Sequence, residues 1–111
     1  MKKIFVSVPF AGRSKEEIRR EIQILTNEYM MTNGYTIDDI KNGSIEFLDN
    51  SGFIPEEFIN TCGKNRHLIC LSNALFVMST CDEVIFSKDW KKARGCRIEH
   101  LAYHLYLKEG S

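Results

Sequence analysis

The chain has 111 residues, with 15 Lys plus Arg against 15 Asp plus Glu, so its net charge is zero. That length predicts one domain over residues 1–111, with a modest core. The charge balance argues against a dedicated nucleic-acid-polymer binder and against a polybasic membrane binder.

No apolar run approaches the ~18 residues of a membrane span. The apolar stretch behind Met1-Lys2-Lys3 is too short for a signal-peptide core. A cytoplasmic protein is therefore expected, with no membrane partner. The four cysteines, Cys62, Cys70, Cys81 and Cys96, form no Cys-x-x-Cys pair. They read as free, mostly buried thiols of a reducing compartment.

Lys3 to Val8 is a short apolar run and predicts a buried parallel strand. Pro9 to Arg13 breaks it. Ser14 and Glu17 then have the spacing of a capping box, which starts a helix. Ile18, Ile22, Leu25 and Tyr29 give that helix its apolar stripe, and Gly34 is its stop. Tyr35 to Gly43 has weak periodicity and ends in the turn pair Asn42-Gly43. Ile45 to Leu48 is the second predicted strand. Pro55 to Ile59 predicts one or two helical turns, closed by Cys62-Gly63-Lys64. Asn65 to Thr80 is apolar on most sides and long enough to predict a buried helix. Glu83 to Phe86 is the third strand, and Lys88 to Lys92 a charged loop. Ala93 to Lys108 predicts a final helix whose buried stripe is Ile98, Leu101, Ala102 and Leu105.

Strands alternating with helices imply an α/β sandwich, with a short, mostly parallel sheet between helices. Ligands of such sheets bind outside the carboxyl ends of the strands. Three loops lie there: Pro9 to Arg13, Asp49 to Phe53, and Ser87 to Gly95. A sheet this narrow leaves an open edge and exposed helix faces, so a homodimer is expected.

The first loop, Ser7 to Ser14, leads into a helix start, where free N–H groups suit an anion. Taken alone, it reads as a strand–helix turn with a capping serine. Neither Gly-x-Gly-x-x-Gly nor a Walker lysine is present. Around the third loop, Lys88, Lys91, Lys92, Arg94 and Arg97 crowd ten positions. Glu99 follows in the early turns of the last helix. The helix dipole and the nearby arginines are expected to hold it ionised. Such a carboxylate can attack an anomeric carbon and stabilise an oxocarbenium-like transition state. The plainer alternative is a capping carboxylate beside a solvated basic surface.

Cys96, near the same helix start and next to Arg97, competes as a thiol of lowered pKa with His100 on its face. Free cysteines are also commonly buried hydrophobes. Cys96, His100 and His104 repeat at four-residue spacing, but no fourth ligand with matching spacing appears, so no metal site is expected. Trp90 either stacks on a ligand's ring or packs as a lid on its own helix. Asp82 falls at the opposite end of the sheet and reads as structural.

The pattern Val6-Ser7-x-Pro9-x-x-Gly12-x-Ser14-x-Glu16-Glu17-Ile18 resembles the N-terminal segment of small nucleoside 2-deoxyribosyltransferase-like proteins of bacteria and phages. Asn65-Arg66, Leu71-Ser72, Met78-Ser79, Cys81-Asp82, Trp90-x-x-Ala93-Arg94-Gly95-Cys96-Arg97-Ile98-Glu99-His100 and Tyr106 are similar to that family's second half. The resemblance covers both ends of the chain and not Tyr35 to Cys62. It implies a small Rossmann/flavodoxin-like three-layer fold and cleavage of an N-glycosidic bond of a small-molecule nucleoside or nucleotide. It implies no cofactor. Glu99 matches the family's attacking glutamate. Ser7, Pro9, Phe10, Gly12 and Arg13 match the loop that holds sugar or phosphate, and Arg94, Gly95 and Cys96 match the helix start that receives a 5′-phosphate. Where the transferases carry an acidic residue against the base, this chain has Ala74 with Asn73 adjacent, so Asn73 is the expected contact to the base edge, with Trp90 the candidate to stack on its ring. A non-catalytic binding module for a nucleotide-derived molecule is the alternative.

Overall fold

Strand β1 (Lys2–Ser7) is the centre of the sheet. In the computed structural model, which describes residues 1–10, 12–49 and 66–108, it is flanked by β2 (Ile45–Leu48) and β3 (Glu83–Phe86). The order is β2-β1-β3, and both pairings are parallel. Phe5 lies opposite Leu48 on one side and Val84 on the other. A central parallel strand is covered on both faces, which is why Ile4, Phe5 and Val6 form a continuous apolar run rather than an alternating one. The protein is thus a small α/β fold with a short all-parallel sheet.

Helix α1 (Lys15–Asn33) begins where the capping box predicts. Glu17 N donates to Ser14 Oγ at 3.1 Å, and Ser14 N donates to Glu17 Oε1 at 3.3 Å. It ends at Gly34, whose φ of 74° needs a residue without a Cβ. Its stripe turns inward, and Tyr29 packs with Ile4 and Ile45 on one face of the sheet. The weakly periodic stretch after it contains α2 (Ile37–Lys41), too short for its period to be read.

The other face carries α3 (Arg66–Ser79) and α4 (Arg94–Ala102). The last helix continues as a π-helical segment, Tyr103–Lys108. Phe5, Ala74, Met78, Cys81 and Val84 form the core there, with Ala102, Tyr103 and Leu107 packed against it. Asp82 is structural, as expected. Lys3 N donates to its Oδ2 at 2.8 Å, and its own N–H donates to Lys3 O at 2.8 Å, which locks the start of β3 to β1.

Two expectations about the helices are corrected. Helix α3 is not buried all round, since Leu68 and Phe76 face outward. A three-stranded sheet covers only one side of it. In the last helix Ile98, Leu101 and Leu105 are exposed, and the inward residues are Cys96 and Glu99, with Ala102 and Tyr103 beside them. An apolar stripe has the same period whether it meets a core or a second chain, and the π turn after Ala102 shifts the register further. The charged loop contains a 3-10 turn, Trp90–Lys92. Cys81 and Cys96 are buried free thiols and Cys70 is half-buried. The predicted turns over Pro55 to Lys64, with Cys62, and most of the loop from Asp49 to Phe53 lie outside the described residues. No described helix is long and apolar enough to cross a membrane.

Candidate functional site

At the carboxyl end of the sheet, β1 runs into the first loop and β3 runs through Ser87 and the 3-10 turn to the start of α4. Between them lies a cavity of about 130 Å³. Val8 and Phe10 line it from the first loop, Cys70 and Leu71 from α3, and Ala93, Gly95, Cys96 and Glu99 from the start of the last helix. It exceeds the ~10–15 Å³ that one water needs and falls short of the ~300 Å³ of a drug-sized site. One small ring fits inside, with the rest of a ligand outside.

Glu99 is only 7% exposed and has no ion pair among the described residues. Burial pushes its carboxyl from the ordinary 4.5 up to about 7. The expectation of a fully ionised group is therefore overturned. Lys88, Lys91, Lys92, Arg94 and Arg97 are all exposed, so water screens them. Glu99 is also past the first turn of α4, where the dipole has faded. The Glu99 carboxylate lies beside Gly95, where an added Cβ would meet Oε2 at 3.5 Å, an ordinary contact.

Ser7, at the end of β1, is 1% exposed, and its Oγ has no hydrogen-bond partner. The hydroxyl is close enough to Glu99 and Cys96 to offset part of the pKa rise at each, but not at the geometry of a formed bond. A buried hydroxyl left unpaired costs about 1–3 kcal/mol, which a bound polar group would recover. Cys96 is driven the other way from a reactive thiol. Burial pushes it up to about 11, with the Glu99 charge adding to the effect. It is a protonated wall of the cavity, and no Cys96–His100 dyad forms because the His100 ring stacks on Trp90.

Pro9, Gly12 and Arg13 of the first loop are not among the described residues lining the cavity. Gly12, at φ 73°, makes the turn. Arg13 Nη1 donates to Pro9 O at 2.9 Å and to Glu21 Oε1 at 2.6 Å, so it holds the loop closed. Sequence reasoning missed Glu21. Its second oxygen accepts from Ser87 Oγ at 2.6 Å, and Ser87 Oγ in turn accepts from Asp89 N at 3.1 Å. One carboxylate thereby ties the first loop to the third. The available signal was a charge set inside the apolar stripe, between Ile18 and Ile22.

Asn73 is half-buried beside the fully buried Ala74 and is not among the described residues lining the cavity. Helix α3 carries no acidic residue. Trp90 also lies off the cavity, packed on its own helix. Its ring stacks on His100 with centroids 3.7 Å apart and planes 6° apart, and Lys91 Nζ sits 5.5 Å from its centroid. The site thus brings Ser7, Phe10, Gly95 and Cys96 together with Glu99. Pro9, Gly12 and Arg13 belong to the first loop without lining the cavity, and Arg94 lies exposed at the helix start. Among the described residues no group of three or more His, Cys, Asp or Glu could hold a metal ion. Phe10 also lines a neighbouring cleft of about 450 Å³ with Lys15, Ile18, Arg19, Ile22 and Asp49. Comparison of the chain with family models, curated proteins and solved structures gives no match in any of the three.

Proposed function

We propose that the Glu99 cavity cleaves the N-glycosidic bond of a small-molecule nucleoside or nucleotide. One observation carries this reading. A buried carboxyl without a counter-ion among the described residues faces a ring-sized cavity beside an unpartnered buried hydroxyl. Buried carboxyls poised near neutrality are characteristic of reacting groups. The motif resemblance around Ala93 to His100 and in the first loop points to the same chemistry.

In the proposed reaction the ionised fraction of Glu99 attacks C1′ of the sugar. A C–O bond forms as the C1′–N bond breaks, and the electron pair leaves on the base nitrogen, which takes a proton from solvent. Water then attacks C1′, gives up a proton to solvent and frees the carboxylate as the ester C–O bond breaks; a second base in place of water gives transfer. A poorly solvated carboxylate is the stronger nucleophile, and the developing positive charge of an oxocarbenium-like transition state is what an uncompensated buried anion stabilises. The Ser7 hydroxyl supplies a hydrogen bond to the sugar. Pro9, Phe10 and Gly12 bound the sugar side, and Arg94, Gly95 and Cys96 the phosphate side. Five cations within ten positions at this helix start favour a phosphorylated substrate.

The second reading is a non-catalytic binding module. The absence of any acidic residue on α3 favours it, because no carboxyl on that helix can protonate a leaving base. Incubation with a panel of deoxynucleosides and their monophosphates, followed by chromatography for free base, separates the two. Base release lost in Glu99→Ala supports the enzyme. Thermal stabilisation without product supports the binding module. Release unchanged in Glu99→Ala contradicts the nucleophile assignment. We also propose a cytoplasmic homodimer in which a second copy covers Ile98, Leu101 and Leu105, the exposed apolar stripe of the last helix.

A further inference from the structure

The last helix carries a second cluster, separate from the Glu99 cavity. His100 and His104 are one helical turn apart, and their Nε2 atoms lie 3.2 Å from each other, sharing a hydrogen bond when one of them is protonated. Both rings are half-buried, so ions reach them. Neither is free to turn away. Trp90 stacks on the His100 ring, Phe86 packs on it with centroids 4.8 Å apart, and Tyr103 packs on His104 at 5.4 Å. The helix widens to the π form from Tyr103, between the two histidines. Such wide turns occur frequently at functional sites.

Two imidazole nitrogens bound to one metal ion each lie ~2.0–2.1 Å from it. At bond angles between square and tetrahedral they are then about 2.9–3.4 Å from one another. The observed 3.2 Å falls inside that span. We propose that His100 and His104 form a two-nitrogen chelate for a divalent transition-metal ion of the kind imidazole prefers, copper(II), nickel(II) or zinc(II). Two histidines four apart on one helix face are a standard way of presenting such a pair. The aromatic packing lowers the entropy lost when the rings are fixed on a metal. No third His, Cys, Asp or Glu joins them among the described residues. Among the described residues the other coordination positions are open to water or an anionic ligand. The proposal is independent of the Glu99 chemistry.

Trp90 is the chain's one tryptophan, so its fluorescence reports on this site alone. Nickel(II) chloride, titrated into the full chain at pH 7.5 in a non-chelating buffer, is expected to quench that emission saturably at one ion per chain. His104→Gln leaves Trp90 on His100 and is expected to weaken the apparent affinity at least tenfold, the low end for loss of a group supporting a metal. His67→Gln, which alters the third histidine, is expected to leave it unchanged. The copper(II) complex of the wild-type chain should show nitrogen couplings from two imidazoles in its electron paramagnetic resonance spectrum, a readout that needs no variant. The proposal is overturned by quenching that never saturates, by wild-type affinity in His104→Gln, by loss in His67→Gln, or by fewer than two coupled nitrogens.

Discussion

Glu99→Gln is the most informative single substitution, because it separates the charge of the buried group from its shape. The carboxyl rises from 4.5 to about 7 on folding because burial disfavours its anion. Between those values the folded chain keeps a proton that the unfolded chain has released. The sign follows directly. This group costs nothing below pH 4.5, the cost grows as pH rises, and it is complete above about pH 7. At ~1.4 kcal/mol per pKa unit the full cost is about 3.5 kcal/mol, of which about 2.5 kcal/mol develops between roughly pH 5 and pH 8. The glutamine amide has nearly the same shape and does not titrate. Urea denaturation of both proteins at the two pH values isolates the effect, since every other titrating group cancels. Glu99→Gln is expected to gain about 2.5 kcal/mol on the wild type across that interval. A difference that stays constant within about 0.5 kcal/mol, the scatter of ordinary additivity, would refute the burial argument.

Ser87→Ala removes the 2.6 Å bond to Glu21 and is expected to cost about 1.5–3 kcal/mol, the range for a hydrogen bond to a charged group; no loss in a denaturant midpoint would show that the two loops are held by other contacts. Gly95→Ala meets only an ordinary contact with Glu99 Oε2 at 3.5 Å, so stability should hold or rise by up to about 1 kcal/mol. The same methyl group narrows the cavity, and any nucleotide binding measured by calorimetry should weaken; full retention would place the ligand elsewhere. Leu101→Glu puts a charge on a side chain that is 59% exposed in the single chain. Light scattering at micromolar concentration should give a dimer for the wild type and a monomer for the variant, and a monomeric wild type removes the dimer.

The sheet and α1 were legible because their signals are local. A continuous apolar strand, a capping box and a stop glycine each act within a few residues of themselves. What was not legible depends on direction around a helix or on distance along the chain. Arg94 and Arg97 are five and two positions from Glu99, which turns them about 140° and 160° away around the helix axis, at ~100° per residue. Nearness in sequence therefore suggested that the arginines hold the carboxylate ionised, whereas they point away from it and burial pushes its pKa up. The stripe Ile98, Leu101 and Leu105 was read as core because periodicity reports that a helix has an apolar face and not what covers it. Glu21 was missed because its partner Ser87 is 66 residues away. Cys96 was left open at the sequence level and becomes a buried wall once Ser7 and Glu99 are seen beside it.

The central claim is that Glu99 reacts at an anomeric carbon. A deoxynucleoside monophosphate bearing fluorine at C2′, which slows hydrolysis of a glycosyl ester, allows that bond to be trapped. Intact-mass measurement and peptide mapping then locate it. The account predicts an adduct of one sugar phosphate per chain, carried by the peptide containing Glu99 and absent from Glu99→Gln. An adduct on Cys96, or an unmodified chain under conditions where free base is released, would contradict it.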